Sequence, residues 1–362
     1  MKNNLRTLSA LFLLLLLFSC HKEDDTLSQE QAKVERSLFN CPSYETSELT
    51  GPGSSLYFDE MIRYGDYFLY GGFDDLLVTD GFNGEVVLEK NGLDVHKFLP
   101  YNQKMLICGT DGIYELDEEL NFTQKSELGC WDIILSPDGK LLFAPLGQGS
   151  VQPQHIYELS PVDFTPTRYT SNYETGMCVS LDHLFFDTQG YLWAVDCSGH
   201  LLKFDGPNLA QRISAENSNF WGHEGSNPAE DETHFLNYKD GMAVVAKAGV
   251  LFYEILYYKN GEWAPLFLTG NTPGEELPEK AVEMLRGTVQ DAVITGEKLL
   301  VATNRGVHEF NLSQSEELSL DDVVNITDPN LPAESAYDLY AEPNGDWYVI
   351  STQKAVTRIR CQ

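Results

Sequence analysis

Asp132-Ile-Ile-Leu-Ser-Pro-Asp-Gly-Lys140, followed by Leu141-Leu-Phe-Ala144, is the stretch whose reading decides the fold. An ionisable residue opens it, apolar residues follow, a turn rich in Asp and Gly comes next, and a second apolar run closes it. Short β-branched or leucine-rich runs bounded by turn residues are strand language, so the unit is a β-hairpin. Looser copies open at Glu60, His96, His183, His234, Asp291 and Asp338, with turns at Gly65-Asp66, Asn102-Gln103, Thr188-Gln189-Gly190, Asp240-Gly241, Gly296-Glu297 and Asn344-Gly345. The openings lie 36 to 57 residues apart, a period that suits four-stranded propeller blades.

After several second runs comes a third strand of one pattern. Gly112-Ile-Tyr-Glu-Leu116, Gly199-His-Leu-Leu-Lys-Phe204 and Gly306-Val-His-Glu-Phe310 share it, and Asp111-Gly112 and Ser198-Gly199 supply the positive φ of a tight hairpin. One blade cannot cover both faces of its sheet, so neighbours must stack into a ring. The expectation is an all-β, seven-bladed β-propeller over residues 39–362. Its last unit ends at Cys361-Gln362 without a fourth strand, so a strand within Phe39–Thr50 is expected to complete it and close the ring.

Phe186-Asp-Thr-Gln-Gly-Tyr-Leu-Trp-Ala-Val-Asp-Cys-Ser-Gly-His-Leu-Leu-Lys-Phe-Asp205 resembles the propeller repeat of sensor regions in two-component regulators, and so does Leu299–Phe310. The motif is structural. The kinase and transmembrane helix of such regulators are missing, so the resemblance implies the fold and carries no signalling role.

The N-terminus speaks to location. Lys2 and Arg6 precede the apolar run Leu11–Phe18, which is too short to span a bilayer as a mature helix. It ends in Leu17-Phe18-Ser19-Cys20, which resembles a bacterial lipobox with Cys20 as the lipidated first mature residue. The following His21-Lys22-Glu23-Asp24-Asp25 is similar to the surface-export signal of Bacteroidetes lipoproteins. The resemblance implies a signal peptide over 1–19, a flexible acidic tether over 20–38, and an outer-membrane lipoprotein at the cell surface. Contact with the membrane is expected through the anchor alone.

A formal net charge of −31 argues against nucleic acid, which needs clustered Lys and Arg. Apart from Cys20, six cysteines remain, an even count that suits disulfides in an exported chain. Cys41 with Cys361 would staple the closure. Cys108 and Cys197 end second strands, and Cys130 and Cys178 precede first strands, which favours pairing 108 with 130 and 178 with 197.

The innermost strand of each blade opens on one face, so the seven openings should form an axial ring: Glu60, His96, Asp132, His183, His234, Asp291 and Asp338. Three of the eight histidines fall in it. Such a ring could bind a ligand or work as acid and base. It could equally hydrogen-bond the backbone of neighbouring blades. A metal ion held by His96, His183 and His234 is the sharper form of the functional reading; no other cofactor is implied.

Loops on the same face add Trp221 and His223, within a polar stretch from Asn217, and Arg286, in a segment with a short helix expected near Glu275–Leu285. Trp193, Trp263 and Trp347 lie in strands and read as core. No Gly-x-Ser-x-Gly, His-Glu-x-x-His or phosphate-cradling glycine loop is present. The expected role is a monomeric binding or scaffold module for a glycan, peptide or partner protein. The alternative is a carbohydrate-active lyase or hydrolase that uses the axial His and Asp residues.

Overall fold

The computed structural model describes residues 43–47, 58–82, 84–146, 155–171, 181–196, 200–213, 233–248, 252–267, 288–312, 318, 323–325, 336–341, 347–352 and 356–360. All described residues belong to one compact unit, Ser43–Arg360, and all regular structure among them is β.

Six four-stranded antiparallel sheets are blades built from consecutive strands. Their inner strands are Phe58–Tyr64, Val95–Tyr101, Cys130–Leu135, Leu181–Phe186, Thr233–Tyr238 and Val289–Thr295, which open blades 1 to 6. The seventh sheet is of another kind. Ala336–Ala341, Trp347–Thr352 and Val356–Arg360 come from the end of the chain, and Ser43–Ser47 from its beginning adds antiparallel to the last of them, with Ser43 opposite Arg360 and Ser47 opposite Val356. The expectation of a seven-bladed propeller is corrected accordingly. Six blades run uninterrupted, and a composite sheet shared by the two chain ends fills the remaining gap.

Each inner strand packs against the next, and Ala336–Ala341 touches both Val289–Thr295 and Phe58–Tyr64, so the ring closes. The closing strand Ser43–Ser47 lies within the Phe39–Thr50 segment expected to supply it. Cys41, Cys178, Cys197 and Cys361 lie outside the described residues, as do the helix expected near Glu275–Leu285 and the segments carrying Cys20, Trp221, His223 and Arg286.

The core sits between neighbouring sheets. Leu106 and Ile113 of blade 2 meet Ile133, Leu141 and Phe143 of blade 3, while Trp193 of blade 4 meets Met242, Val244 and Tyr258 of blade 5. Complete burial of a side chain such as Phe143 or Phe310 is worth roughly 1.5–3 kcal/mol. Trp193 is fully buried, and its indole nitrogen donates to Asp187 Oδ2 at 2.9 Å, so the one polar atom of the ring is satisfied. Gly71 marks a close approach: a Cβ there would overlap the side chains of Val95 and Phe98 on the next blade. Cys108 and Cys130 form a disulfide that joins the second strand of blade 2 to the inner strand of blade 3, the pairing expected for these two.

Candidate functional site: an axial tier and an upper rim

Where the inner strands begin, several carry a β-bulge. Phe58 faces Gly72 while Glu60 faces Gly71, Val95 faces Gly109 while Lys97 faces Cys108, and Cys130 faces Pro145 while Asp132 faces Ala144. Blade 6 repeats the step at Val289 and Asp291. A bulge admits one extra residue and re-aims its side chain. Glu60, Lys97, Asp132 and Asp291 are thus equivalent, and the extra residues His96, Trp131 and Gln290 form a second tier nearer the upper face.

This corrects one expected member of the axial ring. In blade 2 the axial position belongs to Lys97, and His96 is the bulged residue. Glu60, Lys97, His234 and Asp291 each stand five residues before a positive-φ residue (Gly65, Asn102, Lys239 and Gly296), and Asp132 and His183 each stand seven before Gly139 and Gly190. His96 also stands seven before a positive-φ residue, Gln103, so the bulge register and not the turn is what puts Lys97 in the axial tier.

In the axial tier one ammonium, Lys97, faces the carboxyls of Glu60, Asp132 and Asp291. Lys97 Nζ donates to Glu60 Oε1 at 2.5 Å. Burial pushes the Glu60 carboxyl up to about 7 against the opposing pull of the Lys97 ammonium, with Asp291 and Asp132 pushing the same way as burial. Lys97 is held well above its ordinary value by Glu60 and Asp132, which outweigh its own desolvation. Asp132 Oδ1 accepts the N–H of Ile133 at 2.7 Å, and its Oδ2 accepts the N–H of Leu184 on blade 4 at 2.6 Å. Asp291 Oδ2 accepts the N–H of Leu339 in the composite sheet at 2.9 Å. In both cases the carboxylate takes the amide one residue beyond the next blade's axial residue, so these acids stitch neighbouring inner strands together. Burial raises both, Lys97 and the accepted amides opposing it.

His183, at φ 52°, and His234 bring their rings within 5.6 Å of each other. His234 Nδ1 stands 3.5 Å from Asp291 Oδ1, and its buried Nε2 meets no hydrogen-bond partner among the described residues. Burial first, then His183 and Lys97, hold the His234 imidazole well below its usual range, so it is neutral.

His96 turns to other partners. Asp94 Oδ2 accepts the Thr110 hydroxyl proton at 3.1 Å, so the Thr110 oxygen is left to accept from His96 Nε2–H at 3.0 Å. The His96 ring lies 4.4 Å from the Trp131 ring, and burial lowers its pKa. A site of three converging histidines is therefore not what this arrangement offers, and among the described residues no group of three or more His, Cys, Asp or Glu is placed to hold a metal ion.

The upper rim continues from His96 and Trp131 across blade 1. Asp94 Oδ1 accepts the Asp74 N–H at 3.0 Å, and Asp74 follows Phe73 in the two-residue turn between Gly72 and Asp75. Phe73 is 61% exposed and Leu128, just before the inner strand of blade 3, is 39% exposed. Such turns favour Asn, Asp and Gly, so an exposed Phe breaks local preference, and such conflicts concentrate at functional positions. Sequence reading missed Phe73, Trp131 and Lys97. It also missed a network on blade 4, where the buried Asp196 accepts from the part-exposed His200 Nδ1 at 2.8 Å and Arg212 Nη2 at 3.0 Å.

No family model matches this chain, and no curated protein matches it. Solved structures do. The extracellular domain of a hybrid two-component system of B. thetaiotaomicron superposes with a TM-score of 0.61 at 13% identity, covering 88% of this chain and 42% of that one. A second such extracellular domain from the same organism gives 0.59 at 12% identity, covering 88% and 41%. The chain therefore spans about two fifths of the length of these neighbours. The WD40 domain of Neurospora crassa Pan2 gives 0.55 at 11% identity, covering 86% and 89%. These likenesses place the molecule in the β-propeller class. Its sheets share the architecture of sensor and WD40 propellers.

Proposed function

We propose that this chain is a lipid-anchored β-propeller displayed on the cell surface, where it binds a glycan or a segment of a partner protein through its upper face. One observation carries the reading. Glu60, Lys97, Asp132 and Asp291 are engaged by each other and by backbone amides, whereas Phe73, His96, Trp131 and Leu128 keep aromatic and apolar surface at the rim. A rigid ring with part-exposed aromatics at one mouth suits recognition by stacking and shape. The lipobox-like Leu17–Cys20 supports the anchor and the acidic run after it supports display.

Two measurements test this. Cys20→Ala should move the protein from the membrane fraction to the soluble one, and protease added to intact cells should digest the wild type. On an array of neutral and acidic glycans, with a peptide library beside it, the double variant Phe73→Ser/Leu128→Ser should lose at least tenfold in binding to whatever the wild type retains. Binding unchanged in that variant but abolished by Glu60→Gln at unchanged melting temperature would overturn the reading and favour an axial site, as a carbohydrate-active enzyme would need.

A further inference from the structure

The seam between blade 6 and the composite sheet is where the ring closes, and two carboxyl groups meet there. Asp291, on the inner strand of blade 6, and Asp338, on the inner strand of the composite sheet and only 6% exposed, are joined side chain to side chain by a hydrogen bond. Asp291 Oδ2 meanwhile accepts the Leu339 amide across the seam at 2.9 Å, and burial with the Asp291 charge beside it favours the proton on Asp338. A hydrogen bond between two carboxyls needs a proton on one of them, because two adjacent buried carboxylates repel. Asp338 is then the donor.

We propose that the Asp291–Asp338 pair is a proton-operated latch on ring closure: with one proton shared, the seam is held, and with that proton lost, two like charges face each other across it.

The surroundings reinforce the proton. Burial raises Asp338 well above the ordinary carboxylate range, and the Asp291 and Glu60 charges add to it, with Lys97 opposing. From the inner strand of blade 1 the facing acid is Glu60; Arg63, near the other end of that strand, donates to Gly65 O at 3.0 Å, and Tyr64 OH to Gln103 O at 2.6 Å. From blade 6 come Asp291 and, at the far end of the second strand, Lys298, which pairs with Glu309 Oε1 at 3.1 Å. His234 Nδ1 approaches Asp291 at 3.5 Å and is neutral. The side chains of Asp59 and of Trp347–Thr352 lie outside the described residues.

A group whose folded pKa is raised gives stability that is complete below the unfolded pKa and is lost as pH rises through the folded one. The seam should therefore lose stability as pH rises from the unfolded value near 4 to the pair's raised folded value, by about 2 °C in melting temperature per pH unit over that window, and level off beyond it.

Infrared difference spectra of the full soluble chain test this, with aspartate carboxyls carbon-13 labelled so that protonated Asp is separated from Glu60 and Glu254, both pushed up to about 7 by burial. The wild type should show a protonated aspartate carbonyl at a pH where exposed aspartates are ionised, and the band should disappear as pH rises further. Asp338→Asn keeps an N–H donor toward Asp291 without a titratable proton, and it should remove both the band and the loss of melting temperature with rising pH. If that variant fails to fold, Asp291→Asn removes the like charge, and the Asp338 band should titrate at lower pH than in the wild type. Absence of a labelled band in the wild type, an unchanged slope in folded Asp338→Asn, or an unchanged titration in Asp291→Asn overturns the latch.

Discussion

The axial tier and the upper rim are one residue apart in sequence and opposite in character. Glu60, Lys97, Asp132, Asp291 and Asp338 are charged or protonated groups whose partners lie within the ring. His96 and Trp131, one position earlier on their strands, are part-exposed aromatics that lean on each other. The difference shows how a bulge works: an extra residue at the start of an inner strand lets the same strand feed a polar axis and an aromatic rim. Polar residues gathered on an axis are not by themselves a site, since backbone amides of neighbouring strands are enough to account for Asp132 and much of Asp291.

That contrast can be broken by substitution. Asp132→Ala should have the largest effect, because it strands the amides of Ile133 and Leu184 together; about 3 kcal/mol of lost stability is expected in urea unfolding. Lys97→Met should cost about 2 kcal/mol by leaving Glu60 without its ammonium, a figure discounted because the Lys97 side chain is 44% exposed. Adding Glu60→Gln to Lys97→Met should restore part of the loss, which a double-mutant cycle would read. At the rim, Phe73→Ser should change stability by no more than about 0.5 kcal/mol while weakening binding.

The pH dependence sharpens the comparison further. His308, fully buried in blade 6, is lowered to about 4 by burial, and His234 is lowered as well. A lowered histidine favours the neutral folded form, so its contribution is present above the unfolded value near 6.5 and lost as pH falls towards 4. Glu60 runs the other way: raised from 4.5 to about 7, it contributes most below 4.5 and loses that contribution as pH climbs to 7. Between pH 4 and 7 the histidines' gain with rising pH therefore opposes the losses from Glu60, Glu254 and Asp338. His308→Gln, followed by thermal melts across that range, should remove part of the acid-side loss.

The hairpin of Asp132–Ala144 and its copies were legible because turn chemistry and strand runs are local, and the closing strand because a blade lacked one. The pairing of Cys108 with Cys130 was legible because both sit at strand ends on one face. In blade 2 the bulge places Lys97, and not the expected His96, at the position equivalent to Glu60, Asp132 and Asp291. Side chains alternate with period two, so a one-residue slip exchanges the two, and a bulge leaves no mark in the local turn pattern. The hydrogen bond between Asp291 and Asp338 could not be read, because it joins strands whose separation in space depends on closure of the whole ring.

The most direct test of the division between a structural axis and a binding rim is urea unfolding of Lys97→Met beside Phe73→Ser/Leu128→Ser. The account expects the axial variant to lose about 2 kcal/mol and the rim variant to stay within about 0.5 kcal/mol of the wild type. A rim variant as unstable as the axial one, or an axial variant as stable as the wild type, would contradict it.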